Sequence, residues 1–233
     1  MRSRGEKKSL TAKSAKVAKS WAANDQTVTP MSLIVIGGHS RNVGKTSVVA
    51  GLIAALPDYH WTAMKITQYG HGVCSAKGEP CHCATADHSW AISEERDLSG
   101  TSDTSRFLAA GAARVWWVRT QQGLLGEAMP VLREKLAEPG NFILESNSVL
   151  RFLRPDLYLA ILDPGTTDFK PSAQEFLDRA DAILLHEAHK QAMWRSVSLK
   201  PVAARPVFRI TPPHYVTPEV VRFVRRRLFA PES

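Results

Sequence analysis

The chain has 233 residues, 44% of them hydrophobic and 22% charged, which is enough to bury one substantial core and too little for two comfortable domains. The net charge of +8 is unevenly placed: residues 1–30 carry seven Lys or Arg against Glu6 and Asp25, leaving only +3 for residues 31–233. A nearly balanced body disfavours nucleic acid as the partner.

In chain order, the first element is a basic segment, 1–30, of the type KKSLTAKSAKVAKS. It is too polar to bury and is expected to be a disordered tail, with phosphate or nucleic-acid contact as the alternative. Met31, directly before the first apolar run, is a second candidate initiator. No apolar run approaches the roughly 18 to 20 residues that span a bilayer, and no apolar stretch follows the basic start, so a cytoplasmic protein without a membrane partner is expected.

From Met31 onward short apolar runs alternate with helical patterns. SLIVIGG (32–38) reads as a buried strand. KTSVVAGLIAALPD (45–58) reads as a helix with Val48, Val49, Leu52, Ile53 and Leu56 on one face, stopped by Pro57. Further strands are expected at 61–67, 113–119, 141–146, 157–163, 182–185 and 206–210, and helices at 102–111, 122–137, 170–180 and 217–229. This alternation implies an α/β fold of three layers, α/β/α, around a mostly parallel sheet. Residues 68–100 form one long irregular stretch, and its length marks it as functional.

GGHSRNVGKTS (37–47) joins the first strand to the first helix. Its ending, Gly44-Lys45-Thr46, is that of a phosphate-binding loop, but the usual G-x4-G-K-[ST] spacing would put a glycine where His39 stands. Counted from Gly38, the loop is one residue longer. A Gly-rich turn before a helix exposes backbone N–H groups to a phosphate chain, and the helix dipole adds to the attraction. On this reading Gly38, Ser40, Arg41, Asn42, Val43, Gly44, Lys45, Thr46 and Ser47 surround a nucleotide's phosphates, with Lys45 neutralising the β and γ groups and Thr46 ligating Mg2+. The competing reading is an ordinary strand–helix turn with an incidental Lys-Thr.

Other residues carry chemistry with an alternative beside it. Glu145 ends a strand, where ligands of parallel sheets bind, so its carboxylate meets Mg2+, orients an attacking water, or merely caps. Asp103, in the first turn of a helix, is a cap or a metal or substrate contact. Arg106, one turn on, shares its face and reaches either Asp103 or a phosphate. Lys65 at a strand end is a phosphate ligand or a snorkelling surface lysine. Asp163, before Pro164-Gly165, makes a turn. HGVCSAKGEPCHCATADH (71–88) offers His71, Cys74, Cys81, His82, Cys83, Asp87 and His88, enough for a tetrahedral Zn2+ site, most simply the three cysteines with His82. A redox-active thiol pair and unligated loop cysteines are the alternatives.

GHSRNVGKT resembles the G-x5-G-K-T loop of dethiobiotin synthetases, within the class of P-loop NTPases that includes signal-recognition, nitrogenase-iron-protein and MinD-type proteins. RDLSGTSDTSRFLAAGA (96–112) resembles the D-x-x-G-x-D-[ST]-x-R-x-x-x-A-G-A pattern of the molybdopterin-guanine dinucleotide biosynthesis adaptor (MobB-like) family, except that one residue separates Gly100-Thr101 from Asp103. Lys65 falls where both families have a lysine. Glu145 falls where they have EG, and where the urease and hydrogenase nickel-insertion GTPases have ES or EN. A Cys-His-Cys grouping is also similar to the metal site of those GTPases, in a different motif.

These resemblances, which span 33–163, imply a P-loop NTPase using Mg2+ with ATP or GTP. Lys45, Glu145 and Lys65 would be catalytic, Thr46, Glu145 and Asp103 would hold Mg2+, and homodimers are frequent. The guanine-reading Asn/Thr-Lys-x-Asp motif is absent after 182–185, where HEAHK stands, so the base is open between adenine and guanine. Two functions are expected from this: a nucleotide-switched adaptor or metallochaperone-like protein in cofactor or metal-centre biosynthesis, with a partner enzyme; or an ATP-dependent small-molecule ligase or kinase, with Lys65, Arg106 or Arg151 holding an anionic substrate. A non-catalytic nucleic-acid binder is the third.

Overall fold

The computed structural model describes residues 32–69, 89–189, 192–194 and 197–229. The basic tail at 1–30 and the Zn2+ expectation on Cys74, Cys81, His82 and Cys83 lie outside the described residues. Eight strands form one sheet: β1 Leu33–Gly38, β2 Thr62–Tyr69, β3 Trp90–Glu94, β4 Arg114–Gln121, β5 Phe142–Glu145, β6 Leu157–Leu162, β7 Ala182–His186 and β8 Val207–Ile210. Their order is β3-β4-β2-β5-β1-β6-β7-β8, and every pairing is parallel except β3 with β4.

Five α-helices cover the sheet: α1 Lys45–Ala55, α2 Asp103–Ala109, α3 Leu125–Leu136, α4 Pro171–Phe176 and α5 Pro218–Phe229. Side-chain alternation sorts the central strands onto both faces. Ile34, Ile36, Leu157, Leu159 and Ile161 pack with Val48, Leu52, Phe107, Val220 and Val224 of α1, α2 and α5. Val35, Tyr158, Ala160 and Leu162 pack with Leu125, Met129, Leu132 and Phe176 of α3 and α4. The three-layer α/β/α architecture with a mostly parallel sheet is the one the alternation implied.

Two local expectations need correction. The stretch 68–100 is not irregular throughout: β2 runs on to Tyr69, and Trp90–Glu94 pairs antiparallel along β4. In WAISE only Trp90 and Ile92 are turned into the core beside α3, so the strand lacks the continuous apolar run that marked the parallel ones. The first helix also stops earlier, at Ala55, because Pro57 starts a separate 3-10 turn, Pro57–Tyr59.

The register positions the site. Ile36 pairs with Glu145, Glu145 with Lys65, and Lys65 with Trp117, so these four residues form one row across β1, β5, β2 and β4. Leu52 is fully buried in the middle of α1, the helix that begins at the phosphate-type loop. Leu52→Ala should cost about 2–5 kcal/mol of stability, read as a lower urea midpoint at unchanged slope.

Candidate functional site

The loop between β1 and α1 is held from many sides. The strand's hydrogen bonding continues one residue past Gly38, with His39 N–H donating to Ile161 O at 3.1 Å. The His39 ring is fully buried, accepts at Nδ1 from Asp163 N–H at 3.4 Å, and packs against Phe169 and Trp194 with ring centroids 5.1 Å away in each case. Burial holds its pKa below the ordinary 6.5, so the ring is neutral at neutral pH. The residue that breaks the usual spacing is therefore a buried plug that prolongs the strand, and the turn over the helix start begins after it.

Each following group has its own support. The Asn147 side chain clamps Gly38, accepting from its N–H at 2.9 Å and donating to its carbonyl at 2.8 Å. Lys170 N–H donates to His39 O at 2.8 Å, and Ser40 Oγ donates to Asp168 Oδ2 at 2.7 Å. Buried His186 meets Val43 O through Nε2 at 3.0 Å, and its ring lies edge-on to Tyr215. Gly44 has φ +90, and a Cβ there would run into the Tyr215 ring, so glycine is required on two counts. No side chain caps α1, which leaves its first-turn N–H groups pointing into the loop.

Beside the loop, one ammonium joins two carboxylates. Lys65 Nζ lies 2.8 Å from Glu145 Oε1 and 2.6 Å from Asp103 Oδ2, while Thr46 Oγ1 donates to Glu145 Oε2 at 2.8 Å. Glu145 is only 5% exposed. Burial alone would lower the Lys65 pKa, but Glu145 and Asp103 outweigh it and hold the ammonium above its ordinary range. For Asp103 burial works upward and is outweighed by Lys65, so the carboxyl titrates below its ordinary range. Lys65 and Asp103 are therefore both charged at neutral pH. Ser102, with Ser105, caps α2 by a capping box, which leaves the Asp103 carboxylate to face Lys65.

The other expected residues separate. Arg106 donates to Ser47 Oγ at 3.2 Å, next to the loop. Arg151 does not join the site: it pairs on the surface with Glu175 of α4 at 2.6 Å. Asp163 makes its turn, accepting from Gly165 N–H at 2.9 Å and Thr166 Oγ1 at 2.8 Å. Arg41 and Asn42 are exposed at the loop's crest, with Asn42 at φ +57. Asn147, Asp168, Lys170, His186 and Tyr215 carry no signal in the loop motif, since they reach it from 100 or more residues downstream; only Asn147, two positions after Glu145, stood near a residue already singled out.

The electrostatics are those of an anion seat. Lys45 Nζ donates to Ser40 O at 2.7 Å, and burial, aided by Lys170 and Lys65 and opposed by Glu145, lowers its pKa to about 8. Lys170 is also lowered, by burial first and then by Arg41. Neither the Lys170 ammonium nor the Arg41 guanidinium makes a hydrogen bond or ion pair among the described residues. Three cations, Lys45, Lys170 and Arg41, thus converge where a phosphate chain would relieve their repulsion. A hydroxyl and two carboxylates, from Thr46, Glu145 and Asp103, are hard oxygen donors of the number Mg2+ takes from protein when phosphates and water complete its shell. No group of three His, Cys, Asp or Glu suited to a metal occurs among the described residues.

A parallel β1, the Gly38–Thr46 loop and the uncapped start of α1 follow one another in the order that a phosphate-binding loop requires. No family model and no curated protein sequence matches the chain. Among solved structures, LpxK from Aquifex aeolicus in complex with ATP is 21% identical, with a TM-score of 0.43 over 77% of this chain and 54% of that one. The chain therefore spans about half the length of that protein. HypB from Helicobacter pylori in complex with nickel is 12% identical, with a TM-score of 0.43 over 95% of this chain and 97% of that one.

Two outcomes follow from the loop's chemistry. Because Lys45 is charged only below about pH 8 in the free protein, affinity for a Mg-nucleotide should be level near neutral pH and weaken above 8, by up to about tenfold per pH unit, in calorimetric titrations. Gly44→Ala should abolish that binding, and adding Tyr215→Ala should not restore it, since the clash is relieved while the φ +90 backbone remains.

Proposed function

We propose that the protein is a Mg2+-dependent P-loop nucleoside triphosphatase that works as a nucleotide-switched adaptor or metallochaperone-like protein in cofactor or metal-centre biosynthesis. The observation that carries this reading is the Lys65 bridge between Glu145 and Asp103 beside Thr46 and the Lys45 loop. When bound, Mg2+ held by Thr46, Glu145 and Asp103 would neutralise charge on the β- and γ-phosphates. Lys45 and the free amides at the start of α1 bind the phosphate chain, with Arg41 and Lys170 adding charge from its open side. Glu145 orients the attacking water, and Lys65 holds that carboxylate in position.

Glu145 is occupied by Thr46 and Lys65 in the resting arrangement, so nucleotide entry has to loosen those bonds before the carboxylate can serve water. A site that must rearrange to turn over suits slow, partner-stimulated hydrolysis, which favours a switch over rapid metabolism. Neither base is favoured: His186, the last residue of β7, is engaged with Val43 O, and no Asn/Thr-Lys-x-Asp motif follows. ATP and GTP both fit this reading. The ligase or kinase alternative keeps one supporting observation, the position of Lys65 beside a wall of sheet that rises past the loop.

Lys45→Ala should remove measurable binding of Mg-ATP and Mg-GTP, whereas Glu145→Gln should keep binding and lower kcat about 100-fold or more. Rapid wild-type turnover that depends on one small acid would exclude the switch and favour the ligase or kinase.

A further inference from the structure

β2 and β4 overrun the nucleotide loop. β5 stops at the row of Glu145 and Lys65, while β2 continues to Tyr69 and β4 to Gln121, with β3 along their outer edge. Alternation puts Thr67, Trp117 and Arg119 on the same face as Lys65, the face that carries α2 and Asp103. Trp117 is the register partner of Lys65, and Arg119 stands one alternation further up, roughly 7 Å along the strand.

On this wall the Arg119 guanidinium lies 4.5 Å from the Trp117 ring centre and donates to Ser93 Oγ at 3.1 Å, while Trp117 Nε1 donates to Thr67 Oγ1 at 3.1 Å. Arg114, Arg151, Arg222 and Arg227 all have carboxylate partners. Arg119 has none among the described residues, and its Nε is buried with no hydrogen-bond partner. A guanidinium offers five donors in a rigid fork suited to two oxygens at once, and one neutral hydroxyl leaves most of that capacity unused. Stacking on Trp117 fixes the plane of the fork. Arg106 is engaged with Ser47 and Arg41 stands exposed at the loop's crest, so on the wall itself the spare paired donors are those of Arg119.

We propose that this wall is the seat of a second ligand carrying an oxyanion, a carboxylate or a phosphate, anchored by the Arg119 fork over Trp117. The inference deepens the nucleotide reading and rests on it for one point: the ligand would lie on the Lys65 side of the phosphate chain.

The test is calorimetric titration of inorganic phosphate, and separately succinate, into protein saturated with Mg2+ and a non-hydrolysable triphosphate analogue, so that the phosphate loop is already filled. At least one probe should bind the wild type, and Arg119→Gln should weaken it about tenfold or more while changing the affinity for the analogue less than about twofold. Preference for phosphate identifies a phosphorylated ligand, and preference for succinate a carboxylate. Arg119→Lys, which keeps the charge and loses the fork, should also bind the probe several-fold more weakly, and it decides the matter if Arg119→Gln lowers the thermal midpoint. Absence of binding for both probes, or equal binding in wild type and folded variants, overturns the proposal. If the analogue does not bind the wild type, the nucleotide reading falls by itself. The wall is then read on free protein: probe affinity lost in Arg119→Gln and kept in Lys45→Ala sustains it, and the reverse overturns it.

Discussion

Lys65 brings two carboxylates from different parts of the chain to one ammonium. Without it, Glu145 at 5% exposure and Asp103 at the start of α2 would be like charges converging beside a buried hydroxyl, an arrangement that low dielectric opposes. With it, the middle of β2, the end of β5, the start of α2 and the start of α1 are fixed to a common point. The sheet register supplies that geometry, since Lys65 and Glu145 are direct neighbours in parallel strands and need no long reach to meet.

The phosphate loop has the opposite character. Its cations, Lys45, Lys170 and Arg41, are gathered with little negative charge to balance them, and burial first, with neighbouring cations second, lowers the pKa of both lysines. Compensated charge at the carboxylate pair and uncompensated charge at the loop lie side by side. The first gives a rigid frame, and the second is an excess of positive charge that an anionic ligand would relieve.

Much of this was legible in the sequence. Both faces of the central strands are apolar, so LIVIGG and LYLAIL declare themselves as buried parallel strands, and the Gly44-Lys45-Thr46 ending places the loop on its own. The resemblances group Glu145 with Lys65 and with Asp103, but the contact of all three at one ammonium depends on register, which a sequence does not state. Trp90–Glu94 escaped notice because an edge strand with one covered face shows only two buried side chains. Asn147, Asp168, Lys170, His186 and Tyr215 escaped because nothing local distinguishes a residue that supports a loop from one that faces solvent. Arg119 escaped for a related reason: an arginine in an apolar strand looks like a surface residue until the fold shows that it meets no carboxylate among the described residues.

Support of the loop comes from four later parts of the chain, at Asn147, at Asp168 with Lys170, at His186 and at Tyr215. During synthesis the glycines, Lys45 and Thr46 leave the ribosome well before any of them. A nascent chain that has emerged only through α1 therefore carries the whole motif and none of its scaffold. The motif's shape belongs to the finished fold, so a ligand that needs that shape can report when the last strand and helix have docked, in a way that the motif itself cannot.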